Sequence, residues 1–63
     1  MKYRYGLEVL DEHGVYQPVF GACNVESMAR LVVKNALISR PEIAGARVVD
    51  KKTGEVIYGL ETG

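Results

Sequence analysis

A single cysteine, a single phenylalanine and no tryptophan leave this 63-residue chain few ways to staple itself. With Cys23 alone, no disulfide can form within the chain, and one Cys plus one His (His13) falls short of the usual four ligands of a structural zinc. No apolar run approaches the ~20 residues that span a bilayer. The first residues include Lys2 and Arg4 and lack the apolar stretch of a signal peptide, so none is expected. A lone thiol and no targeting signal point to a reducing cytoplasm. Charge of one sign is lacking too. Eight Lys and Arg balance eight Asp and Glu, mixed along the chain with no basic or acidic tail. Nothing therefore draws the chain generally toward nucleic acid or anionic membrane. The glycines have neither the P-loop nor the dinucleotide-binding spacing, and no cofactor is expected.

What is present is apolar: 48% of the residues, against 25% charged. That balance favours a folded chain over a disordered one, and residues 1–63 make one small domain. A chain below roughly 70–80 residues seldom stabilises itself with its own core alone. With disulfide and metal excluded, a partner subunit is the most available support.

Within a strand over 2–11, residues 3–9 alternate, with Tyr3, Tyr5, Leu7 and Val9 on one face and Lys2, Arg4, Gly6 and Glu8 on the other. This is the period of a half-buried strand. Asp11-Glu12-His13-Gly14 reads as a hairpin turn, and a second strand over 15–20 runs back from it. Pro18 cannot donate to a ladder, which places that strand at a sheet edge. Gly21-Ala22-Cys23-Asn24 breaks it, and Asn24 serves as helix N-cap with Glu26 in the first turn. Over 25–39 the period turns helical. Val25, Met28, Ala29, Val32 and Ala36 share one stripe, with Val33 at its margin. Pro41 stops the helix near Ser39, and Ile43 tucks under its end. Strands over 46–50 and 55–60 flank the turn Asp50-Lys51-Lys52-Thr53-Gly54, and Glu61, Thr62 and Gly63 form a frayed tail. The expected fold is α+β with two layers, ββαββ: a four-stranded antiparallel sheet with one helix across one face. Either the third or the fourth strand can sit beside the first. The expected core is Leu7, Val9, Met28, Val32 and Ala36.

Few residues suggest chemistry. His13 could act as a base or pH sensor, but in a hairpin turn it reads as solvated. Cys23 before the helix could be a nucleophile, yet a straight hairpin holds it at the end opposite His13, leaving it without a base. The carboxylates Asp11, Glu12, Asp50 and Glu55 flank turns, where Asp caps backbone amides more often than it binds metal. Gly6 and Gly59 interrupt strands and mark a bulge or a close approach. No catalytic and no metal-binding residue is expected.

Two surfaces remain. Leu31 and Ile38, seven apart, align well away from the core stripe, and Leu37 lies off it on the other side. Val48-Val49 and Val56-Ile57 put apolar groups on both faces of a sheet that one helix can cover on one face only. The expected interface therefore comprises Leu31, Ile38, Val49, Ile57 and Tyr58, with the sheet face ranked above the helix line, and a homodimer is expected. Alternatively, Tyr3 and Tyr5 with Arg4 and Arg47 could stack unpaired bases as sheet-based RNA binders do, although the basic footprint is missing. The segment Arg47-Val48-Val49-Asp50-Lys51-Lys52-Thr53-Gly54-Glu55-Val56-Ile57-Tyr58 resembles those of many short bacterial and phage proteins laid out ββαββ. That resemblance implies the fold and a phage or mobile-element setting, and it carries no functional residue across. The sequence thus reads as a non-catalytic protein-interaction module, an adaptor or inhibitor of a larger protein.

Overall fold

A computed structural model describes residues 3–61. Lys2, Thr62 and Gly63, to which the expectations above extend, lie outside the described residues. Among those described, the order is β1 (Tyr5–Leu10), β2 (Tyr16–Cys23), a single 3₁₀ turn (Glu26–Met28), α1 (Ala29–Ser39), β3 (Gly45–Asp50) and β4 (Val56–Glu61). The four strands form one antiparallel sheet in the order β2-β1-β3-β4, with α1 against one face. This is the ββαββ, α+β arrangement, and the third strand takes the place beside the first. Glu61, expected in the tail, is instead the last residue of β4, held there by pairing with Gly45.

The turns follow from their residues. Asp11 opens the first hairpin, where its Oδ1 accepts the backbone N–H groups of His13 and Val15, each at 2.9 Å. Asp50 opens the second, accepting the Lys52 N–H at 2.9 Å. Each hairpin closes on a glycine at positive φ, 79° at Gly14 and 82° at Gly54, a region where a side chain is strained. As Pro18 implies, β2 is an edge strand. It does not stop at Gly21, however. It continues to Cys23, which pairs with Tyr5, because register shifts between Tyr5 and Gly6 and between Leu7 and Glu8 absorb the irregularity.

The helix begins later than its apolar spacing suggests. Val25 is extended (φ −124°, ψ 125°) and residues 26–28 form the 3₁₀ turn, so the α-helical phase is set from Ala29. Asn24 is not the cap; its Oδ1 accepts the Arg4 backbone N–H at 2.8 Å. The stripe rotates accordingly. Ala29 and Val33 are buried, Val33 completely, while Val32, Ala36 and Leu37 only flank the core. Met28, expected in the core, is 43% exposed, and Val25 is exposed as well. A residue outside the α-helical turns does not share their 100° phase. The rest of the core is Tyr5, Leu7, Cys23, Ile43, Ala46 and Val48, with Val9 partly buried at its margin. Pro41 has the expected effect: α1 ends at Ser39, and the Arg40 N–H closes it on the Ala36 carbonyl at 3.0 Å.

Helix α1 packs chiefly over β3 and β4 and only lightly over β1 and β2. A helix is about 10 Å wide and strands lie about 4.8 Å apart, so one helix covers about two strands.

Candidate functional site

The half of the sheet that α1 leaves uncovered forms a cleft. Leu7, Val9 and Val19 floor it, Val32 and Ala36 wall it from the helix, and Asn35, Ser39 and Arg40 rim it. Its volume is about 400 Å³, and its lining is mostly apolar. That size lies within the range of ligand or anchor pockets. Val19 enters the cleft from the irregular stretch of β2, since Leu7 pairs with Phe20 and Glu8 with Pro18.

On the outer side of α1 stand Leu31, 51% exposed, and Ile38, 77% exposed. On a helical wheel they lie about 140–160° from Val33, the most buried point. The Arg30 guanidinium rests 5.4 Å from the Tyr58 ring centre, which turns the Arg30 and Lys34 side of the helix toward β4. The opposite side, with Val32, Ala36 and Ser39, faces the cleft.

The uncovered sheet face is more polar than expected. Glu8 and Arg47 pair across β1 and β3 at 2.8 Å, and the Arg47 guanidinium lies 4.0 Å from the Tyr16 ring centre. A methyl group at Gly59 would come within 3.0 Å of Arg47 Cβ, so the glycine lets that side chain lie against β4. Val49 shares this face, half-buried, with exposed Val56 opposite it. Ile57 and Tyr58 do not join it. The register shift between Val48 and Val49 leaves Ile57 as the extra residue, and both side chains pack on the core beneath α1. The five expected interface residues therefore fall in three places: Leu31 and Ile38 on the helix, Val49 on the open face, Ile57 and Tyr58 at the β4 edge. The ranking of the sheet face above the helix line loses its basis, because ion-paired groups occupy that face.

The residues of the alternative surface do not meet either. Tyr5 is buried in the core, Tyr3 is exposed ahead of β1, and Arg4 is engaged by Asp50. Arg47 lies on the other face, held by Glu8. The Arg4 contact is a clasp on the β3–β4 turn: Nε donates to both Asp50 oxygens (3.3 and 3.2 Å) and Nη2 donates to Oδ2 at 3.0 Å. Asp50 is buried, and the hydrogen bond from Arg4 holds its carboxyl below the ordinary range, against the opposing effect of burial. Asp11 is held low as well, first by the Val15 N–H and then by Gln17 and His13.

Cys23 is buried, and its thiol donates to the Val25 carbonyl at 3.4 Å. His13 sits exposed in the first hairpin turn beside Glu12. The ladder between them runs from Leu10–Tyr16 to Tyr5–Cys23, roughly 20 Å at the usual rise per residue. Among the described residues, no group of three or more His, Cys, Asp or Glu converges on a point that could hold a metal. No helix among them is long and apolar enough to cross a membrane. Sequence reasoning missed the cleft: its residues are individually unremarkable, and only the sideways placement of α1 assembles them. Comparison with protein-family models, curated proteins and solved structures yields no match to this chain in any of the three.

Proposed function

We propose that this chain is a non-catalytic protein-interaction module, a homodimeric adaptor or inhibitor that acts in the cytoplasm by covering a surface of a larger protein, in a phage or mobile-element setting. The observation that supports this reading is the contrast between the two sheet edges. The β2 edge carries Pro18 and two register shifts, devices that discourage further pairing. The β4 edge is free of proline and exposes Val56 and Leu60 beside a row of unpaired backbone groups. An extended segment of another protein can add to such an edge, with main-chain hydrogen bonds giving affinity and flanking apolar side chains giving selectivity.

The test is affinity capture from the native host followed by reconstitution with the purified partner. The wild-type chain, Cys23→Ser and His13→Ala should retain the same partner. Val56→Lys with Leu60→Lys should lose it while keeping a native circular dichroism spectrum, because edge lysines oppose strand addition. Recovery of nucleic acid with a steep salt dependence would replace this reading with the base-stacking one. Loss of the biological effect in folded Cys23→Ser would replace it with a chemical one.

A further inference from the structure

We infer that the β4 edge and the basic flank of α1 above it form one site, which takes an extended acidic segment of another protein. This rests on the strand addition proposed above and specifies the chemistry of the segment added.

The chain path aligns the two elements. The helix sets out from the end of the sheet where Cys23, Tyr5 and Asp50 meet, beside the start of β4. It ends near Gly45, which pairs with Glu61 at the far end of β4. So α1 runs along β4 in the same direction. Arg30 marks the level, with its guanidinium 5.4 Å from the Tyr58 ring centre. Lys34 stands one turn, about 6 Å, further toward Leu60. Both cations are exposed, and among the described residues neither is in an ion pair. A recess of about 280 Å³, lined by Arg30, Ile57 and Tyr58, opens between helix and edge. A strand added to β4 lies about 4.8 Å beyond it. Its side chains on the helix side rise beneath Arg30 and Lys34, within reach of their long stems. Alternate residues face that side, so carboxylates at every second position meet the two cations. On the other face the intervening residues meet exposed Val56, where apolar groups fit. The chain's own nearby carboxylates stand at the ends of this line: Glu26 and Glu55 by the start of β4, and Glu61 against Gly45.

A second copy of β4 fits worse. Antiparallel pairing about a two-fold axis brings the partner's helix to the same side of the joined sheet. Each helix lies over its own β3–β4, so the two axes stand about 10 Å apart. Arg30 and Lys34 of both copies then crowd the space between them. Like charges across such a contact reject the wrong partner, and an acidic segment removes the conflict.

The test follows peptide binding to the isotopically labelled full chain by NMR. Two probes as long as β4, six residues, alternate valine with glutamate or valine with lysine. The glutamate peptide should bind about 10-fold more tightly and shift the amides of β4 and the first turns of α1. A fully N-methylated version should not bind, because it has no main-chain donors. The preference should shrink as salt is raised. Arg30→Glu with Lys34→Glu, both at exposed positions, should stay folded by circular dichroism and prefer the lysine peptide. Lys51→Glu with Lys52→Glu makes the same change in net charge in the β3–β4 turn and should keep the glutamate preference. Equal inversion in both variants overturns the inference, because net charge alone would then explain it. Equal binding of the two peptides along β4 overturns it as well, and leaves strand addition standing. Binding of neither peptide, binding away from β4, or undiminished binding of the N-methylated peptide overturns strand addition together with the inference.

Discussion

The two halves of the sheet use similar side chains and end in different states. Beneath α1, Ala46 and Val48 of β3 are completely buried. Beside it, Val9 of β1 is only partly buried and Val19 of β2 is 41% exposed. The cause is width: α1, of 11 residues, is one helix on a sheet of four strands. The half that gains the helix becomes the core, and the half that does not becomes a trough. The trough is thus one apolar surface among several, beside the exposed Leu31 and Ile38 on the helix and Val56 and Leu60 on β4.

The largest test of that contrast lies in the helix. Val33 points into the covered half and Val32 toward the trough. Val33→Asp should prevent folding, because an unpaired charge would enter the closed core. Val33→Ala should cost about 2 kcal/mol, Val32→Ala about 1 kcal/mol or less, and Val19→Ala about 0.5 kcal/mol or less, read by urea unfolding. Equal losses at Val33 and Val32 would mean that the helix sits centrally and that the halves do not differ.

The second test compares the two hairpin carboxylates. Asp50 belongs to the covered half and is clasped by Arg4; Asp11 belongs to the other and caps an exposed turn. Both carboxyls are held below their ordinary value of 3.8. A carboxyl whose value is depressed on folding contributes stability that is fully present above its unfolded value and is lost as pH falls through the folded one. Acid unfolding should therefore begin below about pH 4. Asp50→Asn should lower neutral-pH stability more than Asp11→Asn, since it also leaves Arg4 without its charged partner. The gap between wild type and Asp50→Asn should narrow as pH falls. A gap that is constant with pH would show that the Asp50 charge contributes nothing.

Much of this arrangement is legible in the residues. Period-two alternation gives β1, β-branched and aromatic content gives β4, Asp and Gly give both turns, Pro18 marks the edge and Pro41 ends the helix. Leu31 and Ile38 are exposed as their spacing implies. The helix phase is not legible, because Val25 and Met28 mimic the stripe at the right spacing while the backbone there is extended or 3₁₀. The length of β2 is hidden as well, since each register shift resets the alternation that would reveal it. Arg4–Asp50 and Arg47–Glu8 join residues 46 and 39 positions apart, beyond what local periodicity can report. The cleft depends on where α1 lies across the sheet. A stripe of apolar residues fixes which side of a helix faces inward, and says nothing of which strands it covers.

The smallest effects are expected at the two ends of the uncovered half, where Cys23 closes the β1–β2 ladder and His13 sits exposed in the turn. Serine can donate to the Val25 carbonyl as the thiol does, so Cys23→Ser should cost only the difference in packing, about 1 kcal/mol. His13→Ala should change stability by about 0.5 kcal/mol or less, because the side chain is exposed and its pairing with Glu12 is a surface contact. Neither side chain lines the trough, so both variants should behave as the wild type does in light scattering. These two residues carry the reactive side chains of the β1–β2 hairpin. If either variant stays folded but loses the biological effect, the uncovered half acts through chemistry at its ends and not through the apolar surface between them.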